Sequence, residues 1–96
     1  MIEVSKFRLD RNISNEDFLE MNADYQQRFV YQQAGLLRRT VASALDGEWV
    51  AITWWRSMSD ARRSESAATT SALALEFDSL LDPTTRSTEY FKELPG

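Results

Sequence analysis

The chain has 96 residues, 43% of them hydrophobic, enough for one domain with a modest core and too many for a disordered segment. Eleven basic against 15 acidic residues give a net charge of −4, and the arginines are scattered, so no basic stripe exists for nucleic-acid phosphates. Neither cysteine nor histidine occurs, which excludes disulfides, thiolate metal sites, Ser-His-Asp catalysis, His-ligated zinc or iron and an imidazole base.

From the N-terminus, residues 2–9 alternate, with Ile2, Val4, Lys6 and Arg8 on one face and Glu3, Ser5, Phe7 and Leu9 on the other. This predicts a first strand, entered without a signal peptide. Ser14 and Asp17 then fit the cap of a helix that runs to about Gln33, with Gly35 as its stop. Phe18, Leu19, Tyr25, Phe29 and Val30 form its apolar stripe, and Asn22, Gln26 and Gln33 project into that stripe. Buried amides need partners. These three are therefore either satisfied core polar groups or groups lining a pocket.

Two β-rich runs flank Asp46-Gly47, a strong two-residue hairpin signal. That loop pairs Ala44 with Trp49, Ala42 with Ala51, Thr40 with Thr53 and Arg38 with Trp55 on one face. The other face pairs Ser43 with Val50, Val41 with Ile52, Arg39 with Trp54 and Leu37 with Arg56. All three tryptophans sit on this hairpin. The register predicts two possible cation–π pairs, Arg38 with Trp55 and Arg39 with Trp54.

Ser57 to Asp60 suits a second helix start. Small residues follow at Ala61, Ser64, Ala68 and Ala72, then Leu73, Phe77, Leu80 and Leu81 at helical spacing. Asp82-Pro83 ends this helix, and residues 86–94 predict a last strand. The order is β-α-β-β-α-β, an α+β, ferredoxin-like unit in which helices cover one face of an antiparallel sheet. Val41, Val50, Ile52 and Trp54 are expected on the other face, a patch whose simplest cover is a second copy of the sheet. A homodimer of single-domain chains (residues 1–96) is expected. No apolar run reaches the length of a membrane span, so a soluble cytoplasmic protein without membrane or nucleic-acid partners is the expectation.

The element order, the helix end Gln33-Ala34-Gly35, the strand opening Gly35-Leu36-Leu37-Arg38-Arg39, and the run Asp46-Gly47-Glu48-Trp49-Val50 through Trp54-Trp55-Arg56-Ser57 to Ala61 resemble the dimeric α/β-barrel proteins. More narrowly, they resemble the antibiotic-biosynthesis-monooxygenase type, across nearly the whole chain. The resemblance implies a ligand cavity between helices and sheet in each subunit. The candidate lining is Phe7, Asn22, Tyr25, Gln26, Phe29, Arg38, Trp49, Thr53 and Trp55, with Ala42, Ala44 and Ala51 leaving gaps in the floor for a flat aromatic ligand. Haem-degrading relatives use a strand tryptophan, a first-strand asparagine and a helix histidine. Trp55 matches the tryptophan, but Phe7 stands at the asparagine position and Glu65 near the histidine position, so haem degradation is disfavoured.

The cofactor-independent oxygenases of the family act on electron-rich phenols or quinols, where the substrate itself reduces dioxygen. The resemblance thus implies such a reaction without cofactor or metal, against the alternative of a non-catalytic small-molecule-binding or structural dimer. Cavity volume separates these readings. On the pocket reading, Asn22→Leu is expected to hold or raise stability while weakening ligand binding.

Overall fold

The computed structural model describes all residues, Met1–Gly96. Strand β1 (Ile2–Phe7) leads to helix α1 (Asn15–Arg28), a 3₁₀ turn (Val30–Gln32), strands β2 (Leu36–Ser43) and β3 (Trp49–Trp55), helices α2 (Met58–Ala68) and α3 (Ala72–Asp78), and strand β4 (Ser87–Phe91). The four strands form one antiparallel sheet in the order β2-β3-β1-β4. This is the expected α+β, ferredoxin-like fold, with the helices on one face.

Helix starts follow the local chemistry read from the sequence. Ser14 Oγ accepts the Asp17 N–H at 3.1 Å, and Ser57 Oγ accepts that of Asp60 at 3.2 Å. The first helix stops earlier than expected, at Arg28, and the chain tightens into the 3₁₀ turn before Gly35 takes φ +81°. Asp60 occupies the space a Cβ at Gly35 would need, so both conformation and close approach require glycine there. The expected single second helix is two. Thr69 and Thr70 return their hydroxyls to the carbonyls of Ser66 and Ala67, and Ser71 Oγ caps a new helix by accepting the Ala74 N–H at 3.2 Å. That break turns α3 so that Ala74 and Phe77 face the core.

The hairpin register differs from the expected one by a single residue. Ala44 accepts the Gly47 N–H at 3.1 Å and donates to Glu48 at 2.7 Å, so the loop is Leu45-Asp46-Gly47. Only Gly47, at φ +93°, takes the left-handed conformation. This is the three-residue hairpin built on a type I turn, and Asp46 never adopts the positive φ that a two-residue type I′ turn needs. Arg8 holds the loop from outside, donating to the Asp46 carbonyl at 2.8 Å and its carboxylate at 3.0 Å. The register is therefore Ser43 with Trp49, Val41 with Ala51, Arg39 with Thr53 and Arg38 with Trp54, and Leu37 drops out at a bulge.

A one-residue slip exchanges the faces of β2. Val41 and Arg39 point toward the helices, whereas Arg38, Thr40 and Ala42 point away. The helix-facing side holds the main core, where Phe7, Phe18, Trp49, Ala51, Phe77 and Leu81 pack together. Phe18 and Trp49 rings lie 4.8 Å apart. The opposite sheet face carries Ile2, Val4, Val50, Ile52 and Trp54, none fully buried, and Arg38 lies over the Trp54 ring at 4.8 Å. No helix is long and apolar enough to cross a membrane.

Candidate functional site

A cavity of about 580 Å³ lies between the sheet and the helices, within the range of about 300–1,000 Å³ typical of small-molecule sites. Its floor is made by alternate residues of three neighbouring strands: Glu3, Ser5 and Phe7 of β1, Ala51, Thr53 and Trp55 of β3, and Arg39 of β2. Its roof is Tyr25 of α1, Phe29 and Val30 beyond it, Ala61, Ser64 and Ala68 of α2, and Phe77 and Leu81. The space exists because small side chains meet there. Ser5 pairs with Ala51 on the floor, and the alanines and serine of α2 stand above. The exposed residues Arg62, Glu65, Arg86 and Thr88 form the mouth, between α2 and β4.

The deep end is organised by Arg39, only 8% exposed. Its Nη1 donates to Asn22 Oδ1 at 2.7 Å and to Gln26 Oε1 at 3.0 Å. Its guanidinium lies over the rings of Tyr25, at 5.4 Å, and Phe77, at 5.7 Å. None of the four ion pairs includes it. Burying a cation among neutral acceptors is costly, and burial pulls the Arg39 pKa below its ordinary value, with Tyr25 and Glu3 acting against that shift. No protein acceptor takes Nε or Nη2. Because no sealed polar side-chain atom lacks a partner, these donors are not sealed, and Arg39 lines the cavity.

Tyr25 stands beside the cation, stacked on Phe77 at 4.2 Å and on Phe29 at 5.5 Å. Burial raises its phenol pKa, opposed by the Arg39 charge, so it is a neutral hydrogen-bond donor at physiological pH. On the floor, the Trp55 indole donates to Glu3 Oε1 at 2.8 Å. Tyr90 donates to Glu65 at 3.4 Å. Burial, then the Glu3 and Glu65 charges, pushes the Tyr90 phenol up to about 12.

Of the residues expected to line a site, Phe7, Tyr25, Phe29, Thr53 and Trp55 do line the cavity. Asn22 and Gln26 stand behind it and hold Arg39. Gln33 turns to its own chain, donating to the Phe29 carbonyl at 3.1 Å. Two placements are corrected. Arg38 lies on the opposite sheet face, since the three-residue loop moves Arg39 into the place the two-residue loop gave it. Trp49 is sealed in the core against Phe18, at 6% exposure. The expected pairs Arg38–Trp55 and Arg39–Trp54 are replaced by Arg38 over Trp54 and Arg39 over Tyr25 and Phe77. Of the alanines expected in the floor, only Ala51 lies there, because Ala42 pairs with Val50 on the outer face and Ala44 lies at the hairpin loop. Glu3 was missed as a site residue, although the strand alternation placed it on the face of Phe7.

No protein-family model and no curated protein matches the sequence. Solved structures do match across nearly its whole length. SnoaB, a cofactor-independent oxygenase from Streptomyces nogalater, superposes with a TM-score of 0.79 at 20% identity, covering 99% of this chain and 93% of that one. The ActVA-Orf6 monooxygenase from Streptomyces coelicolor, solved in complex with nanaomycin D, gives a TM-score of 0.69 at 22% identity, covering 99% and 91%. Rv0793 from Mycobacterium tuberculosis gives 0.72 at 13% identity, covering 99% and 95%.

Proposed function

The chain has the fold of the antibiotic-biosynthesis-monooxygenase proteins, and we propose that its cavity is the active site of a cofactor-independent monooxygenase acting on an electron-rich phenol or quinol. The observation that carries this reading is Arg39: a buried, cavity-lining cation without a carboxylate partner, with donors no protein group takes, beside the unpartnered Tyr25 hydroxyl. SnoaB and the ActVA-Orf6 monooxygenase support it as oxygenases of the same fold.

A phenol oxygen placed against Arg39 ionises more readily, because a nearby positive charge favours the anion. Tyr25 adds a neutral donor to the same oxygen. Preorganised donors in a site walled by Phe7, Phe29, Trp55 and Phe77 stabilise such an oxyanion more than water does. An electron-rich phenolate gives one electron to dioxygen, and the resulting superoxide and aryloxyl radical combine as a carbon-bound peroxide. Loss of water leaves a quinone. For 1,5-dihydroxynaphthalene the balance is one diol and one dioxygen to one 5-hydroxy-1,4-naphthoquinone and one water, so one oxygen atom enters the product.

Formation of that naphthoquinone, followed by its visible absorption, tests the proposal. Wild type should exceed the protein-free rate, and Arg39→Gln should lose about 100-fold of the enhancement, the order expected for one oxyanion donor. A diol that binds without being oxidised would leave a small-molecule-binding protein as the function.

The assembly proposed with this activity is a homodimer joined through the outer sheet face. Ile2, Val4, Val50, Ile52 and Trp54 are a contiguous apolar group there on β1 and β3, and Phe91 at the end of β4 remains 48% exposed. A second copy of the same face covers them by symmetry.

A further inference from the structure

The floor of the cavity is ordered in a way the oxyanion argument does not use. Arg39 pairs with Thr53, Thr53 with Glu3, and Glu3 with Tyr90. Directly opposed residues on antiparallel strands share a face, so these four side chains form one row across the sheet, and all four line the cavity. Strands are about 4.8 Å apart, which places the Arg39 and Glu3 backbones roughly 10 Å from each other, on either side of Thr53.

Arg39, at one end of the row, and Glu3, two strands away, are chemically opposite. Arg39 offers only donors. Glu3 offers only acceptors while ionised, and the Trp55 indole occupies Oε1. Its Oε2 has no protein partner and is not sealed. The Thr53 hydroxyl between them is also unpartnered, although the residue is 5% exposed. Neither Arg39 nor Glu3 joins an ion pair. Glu65, with Tyr90 bonded to it, adds a second carboxylate at the Glu3 side, where Arg62 acts on Tyr90 against the two carboxylates.

We infer that Arg39 and Glu3 are the two ends of a recognition track, which selects a flat aromatic ligand carrying an anionic or accepting oxygen on one edge and a hydroxyl donor on the opposite edge. Glu3 is then a specificity residue that touches the ligand, and Trp55 fixes its carboxylate by holding one oxygen. A single-oxygen phenol satisfies only the Arg39 end. This rests on the cavity being the ligand site, as proposed above, and it requires no turnover.

Calorimetric titration without oxygen tests it, using 1,5-dihydroxynaphthalene and 5-methoxy-1-naphthol. These probes differ at the second oxygen alone, a hydroxyl donor in one and a methyl ether in the other, and the Glu3→Gln comparison separates donor loss from the bulk of the methyl. Wild type should bind the diol at least about tenfold more tightly, since a carboxylate accepts a hydroxyl proton but faces an ether oxygen unpaired. Glu3→Gln keeps an oxygen for the Trp55 indole and turns an amide donor to the ligand, so the preference should vanish or reverse with the melting temperature little changed. Arg39→Gln should weaken both probes and leave their ratio intact. Equal binding of the two probes by wild type, an unchanged preference in Glu3→Gln, or binding of neither probe would overturn the inference. Oxidation of the diol with no preference between the probes would remove this inference alone. A Glu3-dependent preference without oxidation would remove only the oxygenase reading.

Discussion

Replacing Asn22 by leucine separates two physical accounts of the same residue. Asn22 is 9% exposed and its Oδ1 receives a 2.7 Å hydrogen bond from the buried Arg39 guanidinium. Hydrogen bonds to charged groups contribute about 1.5–3 kcal/mol. Gln26 remains as a second acceptor at 3.0 Å, which puts the loss at the lower end, about 1.5–2 kcal/mol. The leucine regains less than about 1 kcal/mol through added apolar burial. The net cost is about 1 kcal/mol, a fall of about 4–8 °C in melting temperature for a domain of this size. This reverses the expectation of the pocket reading, in which Asn22→Leu holds or raises stability, and fits the alternative that Asn22 is a satisfied core polar group. Calorimetry of Asn22→Leu, Arg39→Met and the double variant at one protein concentration measures it. Removing the charge as well as its acceptor should return the double variant to near or above the Asn22→Leu value, because replacing both partners leaves no buried cation unpaired. An Asn22→Leu protein that melts at or above wild type, or strictly additive losses, would refute the argument.

Ile52→Glu places a charge at the centre of the outer sheet face and should convert a micromolar dimer to monomers in light scattering; an unchanged dimer mass would place the contact elsewhere. Burial raises the pKa of Tyr25, and Tyr90 is pushed up to about 12, so the folded state retains protons that unfolded tyrosines release near pH ~10. Stability is thus fully present below about pH 10 and declines as pH rises toward 12; the drop in melting temperature between about pH 9 and 11 should shrink in Tyr90→Phe. A chain without histidine or cysteine should carry no stoichiometric transition metal; one zinc or iron per chain that survives dialysis would contradict this.

The fold was legible because its signals are local. Ser14 and Ser57 mark helix starts by their own hydroxyls, the β3 alternation from Trp49 to Trp55 buries every second residue, and Gly35 marks a positive φ. The site was legible only in part, because its assignment depended on one loop. Asp46-Gly47 carries the signal of a two-residue turn but closes a three-residue one. What favours the three-residue loop is Asp46 Oδ1 accepting the Glu48 N–H at 3.1 Å and Arg8 arriving from just beyond the end of β1. The Arg8 contact crosses 38 positions of sequence and has no local signature. With the slip, Arg39 rather than Arg38 enters the cavity, and Asn22 and Gln26 become its supports. The break at Thr69 to Ser71 had a sequence cue in three consecutive hydroxyl residues, outweighed by the leucine spacing beyond it.

The most direct measurement of the central claim is the oxygen balance of one turnover. Under isotopically labelled dioxygen, with 1,5-dihydroxynaphthalene as substrate, mass spectrometry should find one labelled oxygen in the naphthoquinone for each dioxygen consumed, with Arg39→Gln slowing its formation. Product forming no faster than without protein, or quinone whose new oxygen comes from water, would contradict it.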